Sequence, residues 1–188
     1  MSELKPAFRE WALYLGKLIP GSLQVTRYFD EDNAIFVDIF TSRSEKGVVA
    51  STIGVMDFDL SRNPKFSLFT EILMDARGTI SIVENVLSTI AFYIMKNSWQ
   101  PAPGVIFESM VSMYDADSRV PHVIFLPPFQ WASGMTKVEL NDKTVYPLLA
   151  VPITESEKEY VRQNGADALF NHWDSLKLDI FDWNRGSH

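Results

Sequence analysis

An apolar run ending at Ile153, broken at Pro147 and followed by two capped helical segments, constrains this chain more than any other stretch. Val145-Tyr146-Pro147-Leu148-Leu149-Ala150-Val151-Pro152-Ile153 has strand composition, and Pro147 removes a ladder donor, which places it at an edge or bulge. Thr154 and Glu157 stand at the spacing of a capping box. The hydroxyl can accept from the amide three residues on, and the carboxylate can reach back to the amide of Thr154. The helix so started runs through Tyr160 and Val161 and stops near Asn164-Gly165, where glycine tolerates the backbone a helix end needs. A second short helix spans Ala166 to Leu176.

The rest of the chain reads as one continuous unit. Leu4, Phe8, Trp11, Leu15 and Leu18 recur at helical spacing and give an amphipathic helix over residues 5–18, ended by Pro20-Gly21. Strands are expected at Gln24–Phe29, Ala34–Thr41, Gly47–Phe58 and Phe66–Met74. They are separated by turn chemistry at Asp30-Glu31-Asp32-Asn33, at Ser42–Lys46 and at Ser61-Arg62-Asn63-Pro64. Such short links favour antiparallel neighbours. Ser81 and Glu84 offer a second capping box for a long apolar helix to Lys96, whose nearly all-round apolarity implies cover on two sides. Further strands are expected at Val105–Phe107 and Val120–Leu126, and a hairpin over Thr136–Leu140 and Thr144–Ile153 around Asn141-Asp142-Lys143. The fold class is α+β: a mixed, mainly antiparallel sheet packed on a long central helix and several shorter ones. One domain over residues 1–184 fits the length, at roughly 100–200 residues per domain. Arg185-Gly186-Ser187-His188 reads as a frayed or non-native tail.

Three segments, in order, carry a likeness. Phe69-Thr70-Glu71-Ile72-Leu73-Met74, closed by Arg77, is a strand with a carboxylate among apolar residues. Ile80 to Tyr93 is the apolar helix, followed by the corner Trp99-Gln100-Pro101-Ala102-Pro103-Gly104-Val105-Ile106. Val123-Ile124-Phe125-Leu126-Pro127 is then followed by Leu148-Leu149-Ala150-Val151-Pro152-Ile153-Thr154 and its helix. Over Phe66 to Leu176 the chain resembles the suppressor-of-fused domain family, in a compact bacterial form without the larger C-terminal region of the animal proteins; before Phe66 it departs from the pattern. The resemblance implies a non-enzymatic protein-binding domain of the immunity type, which binds a toxin and neutralises it by occlusion.

Charge and composition bound the function independently. Hydrophobic residues make up 46% of the 188, enough for one sizeable core. The formal charge of −7 argues against a general nucleic-acid or anionic-membrane binder and would suit a basic partner such as a nuclease toxin. Cysteine is absent, which removes disulfides, thiolate metal sites and thiol nucleophiles. No secretory leader is visible over Met1 to Leu15, so a cytoplasmic location is expected. The apolar stretch around Ile80 to Met95 is interrupted by polar residues and does not read as a membrane span.

Candidate chemistry is sparse. Asp115 and Asp117 have Asp-x-Asp spacing, but as a calcium loop they fail: Arg119 and Val120 fall where an oxygen ligand and glycine belong, and Leu126 replaces the closing acid. Glu108, Asp117 and His122 could serve a small metal-independent hydrolase or transferase if they converged; otherwise His122 is a strand-edge histidine bonded to backbone. Ser133 lacks a complete nucleophile elbow, and no glycine-rich phosphate loop occurs, so no cofactor is implied. Glu71 shares a strand face with Phe69, Leu73 and Arg77, which predicts a buried ion pair with Arg77 or with a cation from a neighbouring strand. For a protein partner, the acids in turns and strand ends are the candidates: Asp30, Glu31, Asp32, Asp57, Asp59, Asp115 and Asp117. Trp131 and Trp183, flanked by turn or polar residues, are the surface aromatics to join them. A scaffolding homodimer through the strand that holds Pro147 is a further reading.

Overall fold

The structure is a computed structural model and describes residues 5–61, 65, 67–78, 80–131 and 135–186. Leu4, the turn residues Arg62-Asn63-Pro64, the expected strand start at Phe66, Ser133, and Ser187-His188 lie outside the described residues. Helix α1 (Pro6–Leu18) leads into β1 (Ser22–Phe29), β2 (Phe36–Ser44) and β3 (Gly47–Ile53), and a 3-10 turn at Val55–Asp57 precedes β4 (Ile72–Arg77). Then come α2 (Val83–Asn97), β5 (Ile106–Phe107), β6 (His122–Leu126), a 3-10 turn at Phe129–Trp131, the short β7 (Val138–Glu139) and β8 (Thr144–Val145), β9 (Leu148–Ile153), α3 (Glu155–Asn164) and α4 (Ala166–Leu176). The main sheet runs β1-β2-β3-β4-β9-β6-β5, and β7 and β8 pair by themselves. Every pairing in it is antiparallel except β4 with β9, so the fold is the mixed α+β class that the sequence predicts.

Period-two alternation buries both faces of the central strands β4, β9 and β6. In β4, Ile72 and Met74 join Val86, Leu87, Ile90 and Ile94 of α2 in one core, while Leu73 joins Trp11 and Leu15 of α1 and Trp173 of α4 in the other. The second cover on the α2 core comes from Met110, Val111, Val120 and Trp183.

The capping box at Thr154 forms as expected. Glu157 N–H donates to Thr154 Oγ1 at 3.1 Å, and Thr154 N–H donates to Glu157 Oε2 at 2.7 Å. Gly165 closes α3 at φ 85°. The box at Ser81–Glu84 does not form: Ile82 occupies the N-cap of α2, and Glu84 pairs with Arg43 of β2 instead. Pro147 lies at the junction of β8 and β9, between Tyr146 N–H on Phe69 O and Leu148 N–H on Glu71 O, both 2.9 Å. β9 itself is central, so the strand after Pro147 presents no free edge and a homodimer through it has no basis.

Residues 185 and 186 are not a frayed tail. β4 pairs with β9 only over Ile72–Met74, then the two strands part, and the C-terminal segment closes the split. Arg77 N–H donates to Phe181 O at 2.9 Å, Trp183 Nε1 to Asp75 O at 3.4 Å, and the Arg185 guanidinium to Pro152 O and, at 3.2 Å, to Glu157 Oε2. Arg185 is therefore buried.

Glu71 corrects a second expectation. It is buried without a cation among the described residues; Thr52 Oγ1, Gly54 N–H (2.7 Å) and Met56 N–H (3.1 Å) donate to its carboxyl and anchor the 3-10 turn. Arg77 turns outward to Asp179 (3.3 Å). Three donors favour the charged form, but burial wins and raises the Glu71 pKa to about 7. The folded protein therefore holds this proton through a window, from about 4.5 to about 7, in which the unfolded chain has lost it. Stability from Glu71 is full below that window and declines as pH rises through it, by roughly 3 kcal/mol at 1.36 kcal/mol per unit. Urea unfolding between pH 5 and 8 should show this slope, and Glu71→Gln should flatten it. An unchanged slope in the variant would assign the dependence to other groups.

Candidate partner-binding surface

Two of the expected acids, Asp30 and Glu31, line one cleft, and Asp115 and Asp117 line an adjoining concavity. The Asp30–Asn33 turn between β1 and β2 and the turn Met113–Asp117 flank the outer face of α2, enclosing a concavity of about 650 Å³ lined by Phe29, Glu31, Thr89, Phe92, Met113 and Tyr114. Amphipathicity sets this face: Val86, Leu87, Ile90 and Ile94 of α2 are buried in the core, leaving Asn85, Thr89, Phe92 and Lys96 toward the cleft. Thr89 Oγ1 and Tyr114 OH lie 2.5 Å apart and tie the second turn to the helix. Glu31, Asp32, Asp115 and Asp117 are exposed in the two flanking turns, while Phe29, Met113 and Tyr114 supply exposed apolar surface. Asp115 and Asp117 line the adjoining concavity with Ile80, Ser81 and Arg119, and Tyr114 borders both.

Asp30 is not a rim charge. It is buried, and its Oδ1 accepts from the Ala34 (2.7 Å) and Ile35 (3.0 Å) amides while Oδ2 meets Lys96 Nζ at 2.7 Å. Lys96 first, then those amides, holds the carboxyl below its ordinary range. An aspartate at the head of a tight turn satisfies the turn's own amides, and that makes it structural. Asp57 is half-buried between Lys5 and Lys143 (3.2 Å), away from the cleft. Asp59 is exposed but organises its loop by accepting from Ser61 and Leu68 amides, both at 2.9 Å. Trp131 is half-buried against the α1 core. Trp183 is only 5% exposed and not a surface aromatic: Asp182 and Asn184 face out while the indole fills the α2 core.

Glu108 and His122 meet in a different place. His122 Nδ1 accepts from Ser109 N–H at 2.9 Å, so its proton sits on Nε2 and points to Glu155 Oε2 at 2.5 Å. Lys158 first, and then His122, holds Glu155 down to about 2. Glu108 is held by Lys158 (3.3 Å) and Arg162 (2.7 Å). Both ring nitrogens of a buried histidine are thus engaged, and no hydrogen bond or ion pair among the described residues brings Asp117 to it. Among the described residues, no group of three or more His, Asp and Glu could hold a metal ion. No described helix is long and apolar enough to cross a membrane.

Comparison with known proteins decides the family. Residues 35–186 match the family described as Suppressor of fused protein (SUFU). The chain belongs to the suppressor-of-fused family. The match begins at residue 35, well ahead of the Phe66 boundary drawn from the motifs, and so takes in β2 and β3. This family member is similar to "Immunity protein YqcF" of Bacillus subtilis (strain 168), with 34% identity over 171 residues covering 89% of each chain. In fold it is similar to a putative SUFU homologue from Neisseria gonorrhoeae FA 1090, at a TM-score of 0.71 and 15% identity over 96% of each chain. It is similar as well to a chain of the Sufu-Fu complex, at 0.68 and 13% identity over 96% of this chain and 89% of that one.

The apolar cleft residues Phe29, Phe92, Met113 and Tyr114 escape a reading of sequence. Their signal is faint: Phe29 abuts an acidic turn, and Met113-Tyr114 ends an apolar run where no strand fits.

Proposed function

We propose that the chain is a non-enzymatic, immunity-type protein of the cytoplasm that binds a toxin and neutralises it by covering its active site. The observation that carries this reading is the 34% identity, over 89% of both chains, with a protein named for immunity. The acidic-rimmed cleft beside α2 is the face proposed to engage a basic toxin surface. Its exposed Phe29, Met113 and Tyr114 provide apolar contact, and Glu31, Asp32, Asp115 and Asp117 provide opposite charge.

The test is growth protection. The product of the reading frame beside this chain's gene is expressed from an inducible promoter as the toxin to be tested, with and without this protein. Restored growth together with co-purification of the two is the expected result. Growth arrest despite equal expression of the folded protein would overturn the reading.

A further inference from the structure

Strand β1 is an edge of the main sheet, and among the described residues no strand pairs with its outer side. The pairing of β1 with β2 runs from Ser22↔Arg43 to Phe29↔Phe36 without a bulge. Asp30 N–H donates to Ile35 O at 3.1 Å and continues the ladder, which fixes its phase. Residues of the same parity, Gln24, Thr26 and Tyr28, therefore turn their backbone groups to β2. Leu23, Val25, Arg27 and Phe29 turn theirs outward. The usual protections of an edge are missing: β1 has no proline, lysine or acid, and its one charge, Arg27, is spent on Asp38 at 2.7 and 2.9 Å. Three outward residues also carry exposed apolar side chains: Leu23 is 49% exposed, Val25 51% and Phe29 53%. At the opposite edge β5 is two residues long, too short to recruit a strand.

We propose that β1 pairs antiparallel with β1 of a second copy of this chain, joining two sheets across a two-fold axis at Thr26. Backbone phase restricts the register, because outward residues must face outward residues. The one alignment that uses all four sets Leu23 against the partner's Phe29 and Val25 against the partner's Arg27, with about eight backbone hydrogen bonds. The side-chain pairs that result are compatible on both faces: leucine with phenylalanine on one, and glutamine with tyrosine and threonine with threonine on the other.

Charge favours a second copy over an unrelated strand. The same alignment carries Glu31 and Asp32, just past Phe29, to the other end of the partner's β1. That end holds Lys17, exposed in the last turn of α1. The two-fold makes this contact twice. Phe29 and Glu31 also line the cleft, so the dimer is the form of the free protein and competes with the partner complex.

Sedimentation of the pure protein tests the proposal apart from toxin binding. The expected result is a mass near twice 21.4 kDa at tens of micromolar, falling toward one chain on dilution. Val25→Pro removes a donor that only the partner strand uses, and should sediment as one chain with an unchanged circular dichroism spectrum. Should that variant not fold, Val25→Lys and a charge exchange answer the question. Glu31→Lys or Lys17→Glu alone should weaken the dimer, and the two together should restore it. A single chain at every concentration, or a dimer unmoved by these changes, overturns the proposal. Protection of β1 amides from hydrogen exchange only when toxin is present overturns it too, and assigns the edge to the toxin.

Discussion

Arg185→Ala is expected to destabilise the protein by about 3–5 kcal/mol, the range for removing one member of a buried charge pair. Glu157 is buried. It receives Trp173 Nε1 at 2.6 Å, Thr154 N–H at 2.7 Å and the Arg185 guanidinium at 3.2 Å. Arg185 also bridges to Ile180 O (3.0 Å) and Pro152 O, so one side chain holds α3, β9 and the C-terminal segment together. Its loss leaves a carboxylate without its cation and a carbonyl of β9 unpaired. Equilibrium urea unfolding reads the effect directly. Arg185→Met combined with Glu157→Gln removes both charges and should recover a good part of the loss, because the cost lies in the stranded charge. A single variant within about 0.5 kcal/mol of wild type, the scatter of ordinary surface changes, would show that the pair is not structural.

The second large effect is on association. Reversing Glu31, Asp32, Asp115 and Asp117 to lysine should slow capture of a basic toxin by about 10- to 1,000-fold at low salt, the range by which complementary fields raise encounter rates. Added salt should shrink the difference, since screening acts over about 8–10 Å at ordinary ionic strength. Stopped-flow association at two ionic strengths measures both. Asp30 is kept in this design because its bonds to Lys96 and the turn amides belong to the fold. Equal rates for the two proteins at both salts would take this cleft out of the encounter surface.

Local chemistry was legible where neighbours in sequence are also neighbours in space. The Thr154 box, the Gly165 stop and the span Ala166–Leu176 of α4 stand where spacing puts them, because each depends on contacts within a few residues. Burial by distant segments was not legible. Glu71 was matched with a cation by its strand face, yet its partners are a hydroxyl and two amides brought by β3 and the following turn. Trp183 and Arg185 have polar neighbours and a terminal position, and only the parting of β4 from β9 reveals the space they fill. The acidic turns were correctly located, but their grouping depends on the path of α2 between them. Asp30 and Asp57 stand apart from the rest because each has local partners.

Burial of the sheet's central strands on both faces has a consequence for how such a protein can change. Successive residues of its central strands answer to opposite cores, so hardly a position along them is free of packing. What remains free to vary is the set of turns at the margins, which touch the cores little. Glu31, Asp32 and the Met113–Asp117 turn can be rewritten one residue at a time at little expense in stability. The scaffold stays constant while the chemistry of its margin changes.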